Sequence, residues 1–531
     1  MAKRLEMVTK KALVCPVCQA YEGKGLGKHL LEAHGREAFH KAVLEAKESG
    51  LPDALIGEIF GITFRQLERI VTEAYGVNIS RPRRPKRITS WGPEGFREET
   101  TTVWSYPKRG DWATHHGGYR GNWSPYIPRN VILKYSRPGD IVLDYFVGGG
   151  TTAIEAKLLG RRCIARDINP ACVAMTQEHV SFSPPGTLFG EGPFFEPVVS
   201  VGDARDLSDI GDNSVDLICA HPPYAGIISY SSRVEGDLSA LDVQDFLEEM
   251  RKVAQESFRV LKPGGKCAIL IGDTRKRKHV VPIGFALIGV FLAAGFRLKE
   301  LVIKRQHNCK TTGFWREKSI AHNFLLLAHE YLPVFEKPLE EGSHNIPRVS
   351  QEPVLGIRVL DLGSLPRVDL ETTSVWIFPR DIYEVSLNAN VIQRYALGRP
   401  YRVLSIEAGS REKEMPPLGS VHLLFVKSPA LSGVDSPGAI TLYLELLKAV
   451  VEKGLVHLAP GGFLVVEVRD VRIGGYVEPL GKLVIDRLNQ ERLWLKEIVV
   501  TTEEESRFLP QGDSRDLAIV HRYLLVYEVL R

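Results

Sequence analysis

The chain has 531 residues, 44% of them hydrophobic and 25% charged, with a formal net charge of +4. That length accommodates roughly two to four domains, and the composition is that of an ordinary globular protein. Seven scattered cysteines exclude a disulfide framework, no apolar run is long enough for a membrane span, and the N-terminus lacks a signal-peptide core, so the expectation is a cytoplasmic protein with no membrane partner.

The first signal in chain order is CPVCQAYEGKGLGKHLLEAH. Cys15 and Cys18 have two residues between them, and His29 and His34 have four, within an apparent helix, GKHLLEAHGREAFHKAVLEA. Thiolates on a knuckle and imidazoles a helical turn apart form a two-Cys, two-His ligand set of the kind that holds a structural Zn2+. The interval between the pairs is about two residues shorter than in the usual finger. His40 is an alternative to His34 as fourth ligand.

Next, LPDALIGEIFGITFRQLERIVTEAYG reads as helix, tight turn, helix, with Ile56, Ile59, Ile62, Leu67 and Ile70 on its apolar side. It resembles a helix-turn-helix, and a two-helix structural hairpin has the same pattern. The run SRPRRPKRITS, Ser80 to Ser90, is basic and Pro-rich: a solvated linker, or a strap that contacts phosphates.

From Trp91 to Leu332, apolar runs of strand length (DIVLDYFV, RRCIARDI, VDLICAH, KCAILIGD) alternate with helical stretches. This predicts an α/β domain with a mostly parallel, doubly wound sheet. The last third repeats the middle. TTTVWSYP returns as TTSVWIFP, and LKPGGKCAILIGDTR as LAPGGFLVVEVRDVR. Pro263, Asp273, Pro282 and Lys299 recur 197 residues later as Pro460, Asp470, Pro479 and Lys496, and AHNFLLLAHE aligns with VHRYLLVYEV. We read a tandem duplication whose second copy is degenerate. That copy has IEAGSREKE in place of the glycine-rich loop and FVKSPALSG in place of HPPY. It also lacks the piece containing His115, Gly117, Gly118 and Arg120. The expected organisation is a zinc-finger-like module over 1–45, a helix-turn-helix-like segment over 46–80, a basic linker over 81–99, a catalytic domain over 100–340 and a silent partner domain over 341–531, with the two α/β domains paired.

Two stretches carry chemistry. In DYFVGGGTTAIEAKLLGRRCIARDINP a strand ends at Asp144, three glycines follow, and Thr151-Thr152 open a helix. Asp167 ends the next strand, where an acid can accept from ribose hydroxyls, and Asp203 follows a third strand, placed to meet an adenine amine. This suits a nucleoside ligand across the strand tips. In VDLICAHPPY a strand runs into two prolines, which stiffen the backbone into a corner with Tyr224 at its tip.

DYFVGGGTTAIEAKLLGRRCIARDINP resembles the cofactor motif of S-adenosylmethionine-dependent amino-methyltransferases, which act on the exocyclic N4 of cytosine or N6 of adenine in nucleic acid. HPPY resembles their catalytic corner, which usually has Asp, Asn or Ser before Pro-Pro-Tyr, and GGYRGNWSPYIPRNVI resembles the segment beside the methionine end of the cofactor. The resemblance covers about Thr100 to Glu330 and implies a Rossmann-like methyltransferase fold. It also implies S-adenosyl-L-methionine held by Asp144, Phe146, Gly148, Gly150, Thr151, Thr152, Asp167 and Asp203. His221 and the Pro222 carbonyl, fixed by Pro223, would pull on the amine, and Tyr224 would stack on the base. Asp273 and His307 are further candidates on the substrate side. Cytosine N4 is the expected target. A ribosomal RNA in an archaeal-type protein ranks ahead of DNA, because no large recognition insert follows the corner. A DNA-binding regulator that senses S-adenosylmethionine is the alternative from another class.

Overall fold

The computed structural model describes residues 14–19, 25–77, 87–183, 195–224, 234–307, 312–339, 355–408, 420–428, 436–504 and 516–530. Most of the basic run Ser80–Ser90 lies outside them, as do IEAGSREKE beyond Ala408 and FVKSPALSG beyond Ser428. The chain divides into two compact units, Met1–Phe96 with Lys108–Leu261, and Arg97–Pro107 with Lys262–Arg531. Among the described residues no helix is long and apolar enough to cross a membrane.

The first unit is built on four parallel strands, in the order Val198–Val201, Arg162–Asp167, Ile141–Asp144, Val215–Ala220. Apolar side chains such as Val142, Leu143, Leu217 and Ile218 are fully buried, as strands covered on both faces require. Because the strands are parallel, their carboxyl ends line up at one edge. Asp144, Asp167 and His221 are at or just beyond those ends, and Asp203 is two residues past a third. Helices Thr151–Leu158, Pro170–Val180 and Val243–Val260 belong to the same unit.

The N-terminal helices belong to this unit too. Leu26–Glu48 is interrupted at Gly35 (φ 80°, ψ 176°), directly after His34, so the expected continuous helix is kinked. Asp53–Phe60 ends on Gly61 in the left-handed region, and Thr63 opens Phe64–Tyr75 with a reciprocal capping box to Gln66. Ile56, Phe60, Leu67, Ile70 and Val71 share one core with Cys172 and Met175 of the Pro170–Val180 helix. The side chain of Asn169 donates to the Gly76 carbonyl at 2.8 Å. Arg65 and Arg69 of the Phe64–Tyr75 helix are exposed.

In the second unit, Val103–Ser105 pairs in parallel with Arg297–Arg305, which pairs antiparallel with His329–Glu336, which pairs antiparallel with Leu261–Ile269. A seven-stranded sheet follows in the order Leu355–Val359, Tyr401–Ala408, Val421–Lys427, Leu458–Val468, His521–Val529, Leu493–Glu503, Val375–Phe378. The pairing register corrects one sequence alignment. Ile303 faces Val103 and Tyr331, while Val500 faces Val375 and Tyr523. The segment matching HRYLLVYE is therefore HEYLPVFE, not AHNFLLLAHE. Asp273 and His307 both belong to this unit. Asp273 accepts from the Gly284 amide at 2.9 Å and the Tyr331 hydroxyl at 3.2 Å, and His307 is bonded to Ser105 at 2.9 Å.

A Cβ on Gly284 would stand 2.3 Å from Cδ2 of the fully buried Tyr331. Gly284→Ala is therefore expected to lower the stability of this unit by about 1–3 kcal/mol, read as a lower denaturant midpoint.

Candidate active site

The carboxyl edge of the first unit's sheet opens into a cleft of about 770 Å³, its open mouth included. Its floor is Phe146, Val147, Gly148 and Gly149; one wall carries Asp167, Asn169 and Cys172, another Asp203, Ala204 and the Gly236–Leu238 turn, and His221 and Pro223 close the far side.

The floor is shaped by its hydrogen bonds. Asp167 accepts from the Gly148 amide at 2.9 Å and the Asn169 amide at 2.9 Å, tying the glycine loop to the neighbouring strand end. Gly148 has φ +51° and lies under Tyr119, whose Cε1 would be 2.8 Å from an added Cβ. Tyr119, Asn122 and Trp123 all line the cleft. Asn122 also accepts from the Thr151 hydroxyl. The segment that carries them is anchored on Glu155, which is fully buried in the helix after the loop. Trp112 Nε1 donates to Glu155 at 2.6 Å, His115 Nε2 bonds it at 2.7 Å, and Arg129 pairs with it at 2.8 Å. Arg120 pairs with Glu68 and lies over the Phe64 ring at 4.5 Å.

At the corner, the His221 ring is stacked on Trp123, with centroids 5.5 Å apart and planes 27° from parallel. Its Nε2 is 2.9 Å from the Tyr224 hydroxyl. Pro222 is buried and Tyr224 half-buried. Proline at 223 removes that amide donor, so the Pro222 carbonyl precedes a position with no N–H.

Residues 63–178 match the N6/N4 methyltransferase family described as DNA methylase. That match covers about a fifth of the chain. The family match covers the glycine loop and Asp167 and stops short of His221. A type II methyltransferase, M.MthZI of Methanothermobacter thermautotrophicus, is 29% identical over 153 residues, 25% of this chain and 43% of that protein. The tRNA (guanine(10)-N2)-dimethyltransferase of the same species is 35% identical over 131 residues, 24% of this chain and 34% of that protein. The chain thus spans less than half the length of either relative. The crystal structure of TrmN from Thermus thermophilus aligns at a TM-score of 0.27 and 20% identity, over 41% of this chain and 50% of that one. The mixed α/β, Rossmann-like reading rests instead on the strand order above.

Of the residues singled out in the sequence, Phe146, Gly148, Asp167, Asp203, His221 and Pro223 line the cleft. Asp144, Gly150, Thr151, Thr152, Pro222 and Tyr224 are not part of that lining. Asp144 is 2% exposed and accepts from the Phe146 amide at 2.9 Å, so it braces the floor from below. Burial, opposed by the nearby Thr152 hydroxyl and the Phe146 amide and reinforced by the Asp167 charge, pushes its carboxyl up to about 7. Asp203 is already engaged: Arg205 binds it through Nε and Nη2 and reaches Glu249 at 2.6 Å with its other amine. Tyr119, Asn122, Trp123 and Glu155 were not singled out from sequence, although the quoted segment GGYRGNWSPY contains the first three.

The Asp167 carboxyl is pushed up to about 6, chiefly by burial, against the Asn169 and Gly148 amides that favour its ionised form. Its ordinary value is 3.8, so between those two values the folded state holds the proton more tightly than the unfolded chain does. Ionisation therefore weakens the fold as pH rises through that window. A ligand hydroxyl that donates to Asp167 needs the ionised form. Methyl-donor affinity is expected to rise from pH 5 to pH 7.5, by up to about tenfold across the unit below the pKa, in titration calorimetry. Asp167→Asn should flatten that dependence.

Proposed function

We propose that the protein transfers a methyl group from S-adenosylmethionine to the exocyclic N4 amine of cytosine in nucleic acid, with RNA ahead of DNA and ribosomal RNA first among RNAs. One observation carries this reading: the glycine loop, Asp167 and two residues of the HPPY corner, His221 and Pro223, line one cleft, with the Tyr224 hydroxyl 2.9 Å from His221. The donor set fits the group. The Asp167 carboxylate at a strand end suits ribose hydroxyls, and the aromatic ring of Phe146 offers a flat contact. Bound there, the cofactor supplies an electrophilic methyl. Everything else falls to the chain. An exocyclic amine is a weak nucleophile while its lone pair is delocalised into the ring. The Pro222 carbonyl accepts one of its hydrogens and favours a tetrahedral nitrogen, Tyr224 stacks on the base, and Trp123 and His221 limit access of water. Positioning of this kind accounts for much of the acceleration.

The ranking of RNA over DNA rests on the short span between the corner and the Val243–Val260 helix, which leaves no room for a large recognition insert. The type II relative favours DNA as the second reading. Nucleoside mass spectrometry of RNA and DNA from cells with and without the gene separates them: loss of N4-methylcytidine from RNA supports the reading, and loss from DNA alone overturns the ranking.

Two further parts belong to this proposal. Cys15, Cys18, His29 and His34 bring their ligand atoms within 4.8 Å of one another. His34 Nε2 is buried with no hydrogen-bond partner among the described residues, and the Cys15 thiol is held below its usual value because backbone amides outweigh the effect of burial. These four would hold a structural Zn2+, and His40, bonded to Arg36 at 3.5 Å, is outside the group. Elemental analysis should find about one zinc per chain, and Cys18→Ala should lose it.

The 341–531 region is read as a degenerate second copy paired with the first. Equivalent residues make equivalent bonds in both directions. His329 Nδ1 bonds Ser374 at 2.8 Å and its Nε2 bonds Tyr331 at 3.0 Å; His521 Nδ1 bonds Thr102 at 2.7 Å and its Nε2 bonds Tyr523 at 2.9 Å. Arg275 pairs with Glu497, and Arg472 with Glu300. Where the first copy has His221, the second has Lys427, buried among Glu384, Asn388 and Glu467, an ion cluster in place of a substrate corner.

A further inference from the structure

We infer that His221 is a positioning residue that acts through Tyr224, rather than a second acceptor for the target amine. The inference rests on the methyltransferase reading of the cleft. The imidazole is fixed on two sides. Its face lies on Trp123, which is 6% exposed, and its Nε2 reaches the Tyr224 hydroxyl at 2.9 Å. Trp123 is itself held by its neighbours: Arg109 donates to the Asn122 carbonyl, and the Ser124 hydroxyl donates to the Arg109 carbonyl at 2.7 Å.

A residue three positions after the corner's start can be tied this way only by a side chain with the reach of an imidazole. Asp, Asn or Ser, the usual residues before Pro-Pro-Tyr, end one or two bonds shorter. Histidine at this position thus exchanges a short acceptor for a tether. A tyrosine at the tip of a proline corner still turns about its own side-chain bonds, and the hydrogen bond to a stacked imidazole removes that freedom before the base arrives. The amine is then left to the Pro222 carbonyl.

A double-mutant cycle tests this, using methyl transfer from labelled S-adenosylmethionine to total RNA and sheared genomic DNA of the source organism. Tyr224→Phe keeps the stacking ring and loses the tether, and His221→Ala loses the tether from the other end. Each is expected to lower kcat about tenfold, the scale of one hydrogen bond, with the KM for S-adenosylmethionine unchanged, and the double variant should be no worse than either. His221→Gln, whose amide reaches as far as Nε2, should recover most of the loss; His221→Asn should not. Additive losses, or a near-normal Tyr224→Phe together with a His221→Asn that restores activity, would make His221 a direct acceptor and overturn the inference. If the wild-type chain binds S-adenosylmethionine in equilibrium dialysis yet transfers no methyl to either polymer, the methyltransferase reading falls and this inference with it.

Discussion

Tyr224→Ala is expected to cut methyl transfer at least about a hundredfold while the protein stays folded and keeps its affinity for S-adenosylmethionine. The half-buried ring is at the end of a corner stiffened by Pro222 and Pro223, so removing it takes away a contact surface without opening the core. A base that no longer stacks is free to rotate its amine out of line, and such small misplacements are costly when alignment supplies the rate. Single-turnover methyl transfer with a parallel calorimetric titration of the cofactor measures both halves. An equal loss of cofactor affinity would move Tyr224 from the substrate side to the cofactor side of the cleft.

The second large effect belongs to Glu155. Glu155→Ala strips acceptors from Trp112, His115 and Arg129 at once and leaves the Arg129 guanidinium, 16% exposed, without its carboxylate. Breaking a buried ionic hub from one side costs about 3–5 kcal/mol. A drop of that size in the urea unfolding free energy of this unit is expected, with weaker cofactor binding, because Tyr119, Asn122 and Trp123 are carried by the segment that Glu155 anchors. Glu155→Gln keeps the volume and an acceptor and should lose less.

These two residues mark what the sequence makes legible. The glycine loop and the HPPY corner stand out because their conformations are restricted locally: glycine permits a positive φ at 148, and proline fixes the corner. Alternating apolar runs disclose the parallel strands for the same local reason. Glu155 was silent. Its partners come from segments 26 to 43 residues earlier, and nothing in a helix reading TTAIEAKL says that one glutamate faces inward. Asp203 was read as an adenine ligand from its place at a strand end, yet its neighbour Arg205 folds back on it and shares it with Glu249, a choice that composition does not encode. Matched prolines and aspartates suggest the proposed repeat, but two histidines, His322 and His329, compete in the sequence for the match to His521. Only the pairing of Val500 with Tyr523 and Ile303 with Tyr331 set the register.

Where a transferred methyl ends up is the most direct test of the proposed chemistry. Incubating the full chain with trideuteromethyl S-adenosylmethionine and RNA or DNA, then digesting to nucleosides for mass spectrometry, reads this directly. A deuterated methyl on cytosine N4, abolished by Tyr224→Ala, is expected. Label on a ring carbon or a ribose oxygen, or no label in either polymer despite bound cofactor, would contradict it.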